Sequence, residues 1–219
     1  MLLWMALLRR LPQQVEQFRT FHRDGITGRE CAGRTLLVVG VGNIGHEVCA
    51  IGRALRMRVL GVDVDPRHAD VQYTDVASAL PQADVLVAAM NLTRENTGYF
   101  DLSKFRRIRP GAVFVNISRG ELSPSTTLLA ALEAGHLSGV GLDVFDHEAK
   151  LAVALRSGTP TGDLEVAAAL ALAGRDDCLL TPHNAFNSAE AVLRKSDHSV
   201  QQIVAFRERG RFLWPVPVG

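Results

Sequence analysis

The side chains able to do chemistry fall into two groups along the chain. The first is Gly40-Val41-Gly42-Asn43-Ile44-Gly45, a glycine-rich turn, with Asp63 at the end of the next apolar run. In such a turn the first glycine permits a tight bend. The second lets backbone approach a pyrophosphate with no Cβ in the way, and the third lets a helix lie close to a strand. The helix that follows offers unpaired N–H groups and a positive dipole end to phosphates. An acid at the end of the second strand is where ribose hydroxyls need an acceptor. Gly40, Gly42, Asn43, Ile44, Gly45 and Asp63 are therefore expected to hold a dinucleotide. Arg67 follows closely, but the Asp63 carboxylate repels a 2′-phosphate, so NAD is expected rather than NADP. The second group is Arg119, Asp143, Glu148 and His183. Arginine offers a fork of donors to a carboxylate and an adjoining carbonyl. Histidine can deliver a proton near neutral pH. A carboxylate behind the histidine orients the ring and favours its protonated form. Hydride transfer to a 2-oxo acid requires that inventory.

The elements that must position these groups follow from the periodicity. Apolar runs predict strands over 36–39, 58–62, 71–73, 85–88, 113–116, 140–144 and 178–180. Helical spacing predicts helices over 44–55, 76–80, 102–107, 149–156 and 164–173, the last two separated by Ser157-Gly158-Thr159-Pro160. The 44–55 helix is expected to present Ile44, Val48, Ile51 and Leu55 on one face. Ser123-Pro124 reads as an N-cap with proline at the first helical position, and Gly135 as the end of that helix. The final helix is expected to start at Asn187 with Glu190 in a capping box and to stop at Gly210. Residues 2–22 read as an amphipathic helix that Pro12 kinks or splits. Strands alternating with helices imply a doubly wound, mostly parallel α/β sheet of the Rossmann type, in three layers. In such a sheet ligands bind outside the carboxyl ends of the strands. Arg119, Glu148 and His183 lie just past a strand end, with Asp143 at the edge.

Composition narrows the setting. The chain has 219 residues, 21% of them charged, and a formal net charge of +1, which gives no sign of a nucleic-acid partner. Its three cysteines, Cys31, Cys49 and Cys178, are far apart and odd in number, so neither a disulfide framework nor a CxxC metal site is expected. A reducing, cytoplasmic setting fits. The apolar start, residues 1–8, is too short to span a bilayer, and its Arg9-Arg10 pair follows the apolar run rather than preceding it. His147 beside Glu148 suggests a metal pair, but adjacent side chains point apart and no third ligand has suitable spacing. It reads as a solvated loop histidine, and His46 as an exposed residue of the first helical turn. No metal is expected.

Four phrases carry a family resemblance: GRTLLVVGVGNIG (33–45), RPGAVFVNISRGEL (109–122), GVGLDVFDHE (139–148) and LLTPHNAFNSAEA (179–191). In these the chain resembles the D-isomer-specific 2-hydroxyacid dehydrogenases, in their NAD-binding half. The TPHNAFN run and the RFLWPVP tail (211–217) look most like the D-lactate-dehydrogenase-like branch. The resemblance implies that Arg119 binds the substrate carboxylate and carbonyl, that Glu148 pairs with the histidine, and that His183 is the acid/base. It implies that Asp143 faces the nicotinamide carboxamide. Two departures stand out. Ala149 follows Glu148 where the family usually has proline, and the connection to His183 is longer than in many members. The family also carries a domain-sized substrate segment ahead of the point where this sequence begins. The expected organisation is a dinucleotide-binding domain over 1–186, with 187–219 a C-terminal helix and tail left from the substrate domain. One wall of the family's cleft is expected to be mostly absent. Val192, Val200, Ile203 and Val204, with Phe212, Leu213 and Trp214, would then form an exposed apolar surface. The expected partners are a small 2-oxo or 2-hydroxy acid and a second copy of the chain. That copy would bury the stripe of Trp4, Leu7, Leu11 and Phe18; no membrane is involved. A dinucleotide-binding module without turnover, acting as sensor, interaction module or remnant, carries the same motifs and remains the alternative.

Overall fold

The structure, a computed structural model, describes residues 1–159 and 161–215. Pro160 and the Val216-Pro217 end of the RFLWPVP run lie outside the described residues. The chain divides into two units, Met1–Pro182 and His183–Gly219.

In the first unit one seven-stranded sheet runs through β1 (Thr35–Val39), β2 (Arg58–Val62), β3 (Gln72–Tyr73), β4 (Val85–Ala88), β5 (Ala112–Asn116), β6 (Leu137–Leu142) and β7 (Cys178–Leu180). The order across the sheet is β3-β2-β1-β4-β5-β6-β7, and every neighbouring pair is parallel. β1 thus lies between β2 and β4, and strand order reverses there, which opens a crevice at the carboxyl ends of β1 and β4. Parallel strands covered on both faces need apolar residues at every position. In β1, Leu36 and Val38 enter one core while Leu37 and Val39 enter the other; β4 and β5 divide their residues in the same alternation. One face is covered by α1 (Leu2–Leu8) and α3 (Asn43–Ala54), through Trp4, Leu7, Leu8, Val48 and Cys49. The other is covered by α4 (Val76–Ala79), α5 (Leu102–Phe105), α6 (Ser125–Glu133), α7 (Glu148–Ser157) and α8 (Leu164–Ala173), around Phe100, Phe105 and Phe114. The result is the three-layer, doubly wound arrangement expected.

The first helix splits at Pro12 as expected, but its apolar residues do not form one stripe. It splits into α1 and α2 (Leu11–Gln17), with Arg10 in the left-handed region between them and Pro12 in the first turn of α2. The break turns the two halves apart. Trp4, Leu7 and Leu8 are buried in the chain's own core, whereas Leu11, Val15, Phe18 and Phe21 are exposed. Trp4 and Leu7 therefore cannot belong to a surface that a second copy covers. β6 also begins earlier than expected. Its Gly139 and Gly141 lie beneath Leu7 and Leu3 of α1, where a larger side chain would lift the helix off the sheet.

The second unit is built on α9 (Ala189–Arg209). Ser188, not Asn187, caps it, accepting from the Ala191 N–H at 3.2 Å, so Glu190 falls one residue short of a capping-box position. Gly210 ends it in the left-handed region. The segment after it folds back: Gln202 Oε1 accepts from the Leu213 N–H at 2.7 Å, and Phe206 stacks on Phe212 at 4.7 Å. Val192, Val200, Ile203, Val204, Phe212, Leu213 and Trp214 are exposed. Among the described residues no helix is long and apolar enough to cross a membrane.

Candidate active site

The glycine turn follows β1. Gly40 has φ +91°, and a Cβ there would stand 2.4 Å from the Met90 backbone just past β4. The switch point is thus closed by two backbones that only glycine lets approach. A Cβ on Gly45 would stand 1.9 Å from the Gly40 carbonyl oxygen, so α3 sits directly on the turn. Gly42 differs, because a Cβ there meets nothing within 4 Å. The space beside its backbone is open. No side chain caps α3, whose N-cap is Gly42. Its leading N–H groups and positive dipole end therefore face that space. Ile44 is 64% exposed, so it does not join Val48 in the core as the helical spacing suggested; like Asn43, it faces solvent on the first turn of α3. This donor set fits a dinucleotide diphosphate: uncapped N–H groups, an open approach at Gly42 and an apolar side chain beside it.

Asp63 ends β2. One carboxylate oxygen accepts from the Val41 N–H at 2.5 Å and the other from the Asp65 N–H at 2.9 Å. The acid thus also holds the glycine turn in place, a role that sequence reasoning missed. Arg67 pairs with Asp65 at 2.8 Å.

Past β5 the chain is organised by Asn116, which is fully buried. Its Oδ1 accepts from the Ser118 N–H and hydroxyl, both at 2.9 Å. Its Nδ2 donates to the Arg119 carbonyl and to Ser123 Oγ, both at 2.8 Å. Ser123 is therefore committed to this loop rather than capping α6, whose N-cap is Pro124. The loop projects an exposed Arg119 from the sheet edge, with Nη1 on the Ser118 carbonyl at 2.6 Å. Gly120 packs against the next loop so closely that a Cβ would stand 1.8 Å from the Phe145 carbonyl carbon.

That next loop follows β6. Asp143 is buried; its Oδ1 accepts from the Thr181 hydroxyl at 2.5 Å, which ties the ends of β6 and β7. Glu148 opens α7, and its Oε1 accepts from the Phe145 N–H at 3.1 Å. His147 adopts a left-handed conformation ahead of α7. It is exposed but not merely solvated, because its Nδ1 lies 3.0 Å from Asp163 Oδ1. The Asp163 hydrogen bond, with Asp146 nearby, raises the His147 pKa. Lys150 and His147 together hold the Asp163 carboxylate well below the usual range. The glycine turn, Asp63, Arg119, Asp143 and Glu148 all stand at the carboxyl edge of this one sheet. His183 begins the second unit, exposed and with φ +51°, a conformation uncommon for a residue with a Cβ.

Residues 1–185 match the family described as D-isomer specific 2-hydroxyacid dehydrogenase, NAD binding domain. The chain is 30% identical over 189 residues to a D-lactate dehydrogenase of Streptococcus agalactiae, covering 84% of this chain and 56% of that one. It is 30% identical over 205 residues to the D-lactate dehydrogenase of Escherichia coli, covering 91% of this chain and 61% of that one. The crystal structure of D-lactate dehydrogenase from Aquifex aeolicus, complexed with NAD and lactic acid, superposes with a TM-score of 0.86 at 27% identity, over 97% of this chain and 68% of that one. That of a D-2-hydroxyisocaproate dehydrogenase gives 0.88 at 25% identity, over 97% and 65%. The chain spans little more than half the length of the curated relatives it matches.

Proposed function

Since the chain belongs to the D-isomer specific 2-hydroxyacid dehydrogenase family, as its NAD-binding domain, we propose that it serves NAD-dependent interconversion of a small 2-oxo acid and its D-2-hydroxy acid. The observation that carries this reading is the Arg119 loop. A buried asparagine makes four hydrogen bonds to fix a loop whose exposed guanidinium stands at the same sheet edge as the glycine turn. NAD, when bound, supplies or accepts the hydride. Gly40, Gly42, Asn43, Ile44 and Gly45 hold its diphosphate side, Asp63 its adenine ribose, and Asp143 its nicotinamide carboxamide. Arg119 grips the substrate carboxylate and polarises the carbonyl. His183 delivers the proton to the carbonyl oxygen, and Glu148 keeps that ring oriented and protonated. Residues 187–219 belong to the substrate-binding part of the enzyme. A cytoplasmic setting suits the free cysteines Cys31, Cys49 and Cys178.

The test is NADH binding and NADH oxidation measured on one sample against a panel of 2-oxo acids. Turnover that yields only the D-hydroxy acid, and that falls about 10²–10⁴-fold in His183→Ala, supports the reading. Tight NADH binding without turnover on any 2-oxo acid refutes it in favour of a binding module. We also propose a homodimer. Leu11, Val15, Phe18 and Phe21 are each 49–74% exposed around one short helix, a cluster large for a solitary surface. Light scattering should give a dimer for the unaltered chain and a monomer for Phe18→Glu; a monomeric unaltered chain contradicts the proposal.

A further inference from the structure

Beside the glycine turn, outside the residues assigned to the dinucleotide, the first turn of α3 meets the loop between β2 and β3. His46 comes from the helix, His68 and Asp70 from the loop. One ligand atom from each of the three lies within 4.8 Å of the other two. We propose that His46, His68 and Asp70 form a site for a divalent transition metal of the zinc type.

The donor chemistry selects the class. Two imidazoles and one carboxylate suit zinc, cobalt or nickel rather than magnesium or calcium, which favour oxygen. Three protein ligands leave a fourth position for water. Metal–ligand bonds of about 2.0–2.1 Å place tetrahedral ligand atoms roughly 3.3 Å apart. His46 Nε2 already stands 3.0 Å from each Asp70 oxygen. His68 has the further distance to travel, and it lies on a loop with neither helix nor strand to hold it. Its ring is stacked on that of His46, with centroids 4.0 Å apart and planes 8° apart, so a turn of one ring is needed to aim both nitrogens at one point.

Two further features support the site. His68 Nε2 is enclosed yet has no hydrogen-bond partner among the described residues. An enclosed nitrogen without a partner calls for an explanation, and an ion is one. Arg53, two turns along α3, donates to Asp70 Oδ2 at 2.5 Å. It holds the Oδ2 oxygen and leaves Oδ1 to coordinate, as an outer-sphere partner that orients a ligand does. The loop so clamped begins at Asp63, whose carboxylate holds the glycine turn. Metal binding would therefore stiffen the adenosine side of the crevice without touching the reacting atoms.

The experiment is calorimetric titration of the tag-free chain with Zn²⁺, repeated on His68→Gln, Asp70→Asn and His147→Gln. His147 also lies among carboxylates and serves as the control. The expected result is one Zn²⁺ per chain, bound at least about tenfold more weakly in His68→Gln and in Asp70→Asn and unchanged in His147→Gln. Circular dichroism confirms that each variant is folded. Co²⁺ bound to the unaltered chain should show the intense visible bands of a tetrahedral site, and His68→Gln should lose them. No binding at millimolar Zn²⁺, or equal binding by the unaltered chain and a folded His68→Gln, overturns the proposal.

Discussion

Two glycines of one turn should respond oppositely to the same methyl group. At Gly42 the backbone has φ −76° and ψ −158°, which alanine adopts freely, and a Cβ meets nothing within 4 Å. Gly42→Ala therefore gains a few tenths of a kcal/mol from the unfolded chain and loses about as much at the N-cap. Its melting temperature should barely move. The methyl group stands where a diphosphate must approach, and losing one charge-assisted hydrogen bond costs about 1.5–3 kcal/mol, or roughly 10–150-fold in NADH affinity. At Gly45 the Cβ would stand 1.9 Å from the Gly40 carbonyl oxygen, so α3 or the turn must shift by more than 1 Å, roughly, to reach van der Waals contact. Overpacking of that kind costs about 1–3 kcal/mol, and a domain of this size loses about 2–4 °C per kcal/mol. Gly45→Ala should melt roughly 2–12 °C lower. Differential scanning fluorimetry and NADH fluorescence titration separate the two. Unaltered NADH affinity in Gly42→Ala, or an unaltered melting temperature in Gly45→Ala, would refute the reasoning.

Asp63→Ala should weaken NADH at least about tenfold while narrowing the gap to NADPH, since it removes both a ribose acceptor and a charge that repels a 2′-phosphate; equal affinities in the unaltered chain would contradict this. Asp84 is buried and accepts from the Thr35 N–H at 2.9 Å and from Arg34 and Arg109 at 3.2 Å and 3.3 Å. Asp84→Ala leaves those donors short of a partner and should cost about 2–4 kcal/mol, the arginines recovering part from water; denaturant midpoints check it. The raised His147 pKa stabilises the fold fully below the unfolded value of about 6.5, and that contribution is lost as pH rises through the folded value. The melting-temperature gap between the unaltered chain and His147→Gln should be widest in mild acid and close in alkali; a gap independent of pH would exclude the Asp163 pairing as its source.

The sheet and the cofactor edge were legible because they rest on local signals. Runs such as Leu36–Val39 must be strands buried on both faces, and Gly40, Gly45 and Asp63 sit at fixed offsets from strand ends. What was not legible depends on contacts made across the chain. Pro12 signals the split, but nothing local shows that Arg10 turns left-handed and sends Trp4 and Leu7 into the core while Leu11 and Phe18 stay exposed. Ser123 reads as a helix cap until Asn116 is seen to claim its hydroxyl. Asn116 itself left a signal, a polar residue closing a buried apolar strand, whose meaning needed the loop it braces. That Gly139 and Gly141 make room for α1 has no local signal, because that helix precedes them by more than a hundred residues. His46 and Asp70 are separated by 24 positions, far outside any motif spacing, and meet only because β2 returns the chain beside α3.

The place of β1 has a consequence for the chain as it is made. β1 pairs with β2 on one side and β4 on the other. β2 follows at once, but β4 leaves the ribosome only after about fifty more residues, which at about 5–20 residues per second takes roughly 2–10 s. Throughout that interval the Leu36–Val39 edge is an unpaired, wholly apolar template. A segment that ends as an interior strand of the sheet is, on the nascent chain, open to pairing with a neighbour. Synthesis speed between residues 40 and 88, rather than final stability, would then govern how much of the protein escapes aggregation.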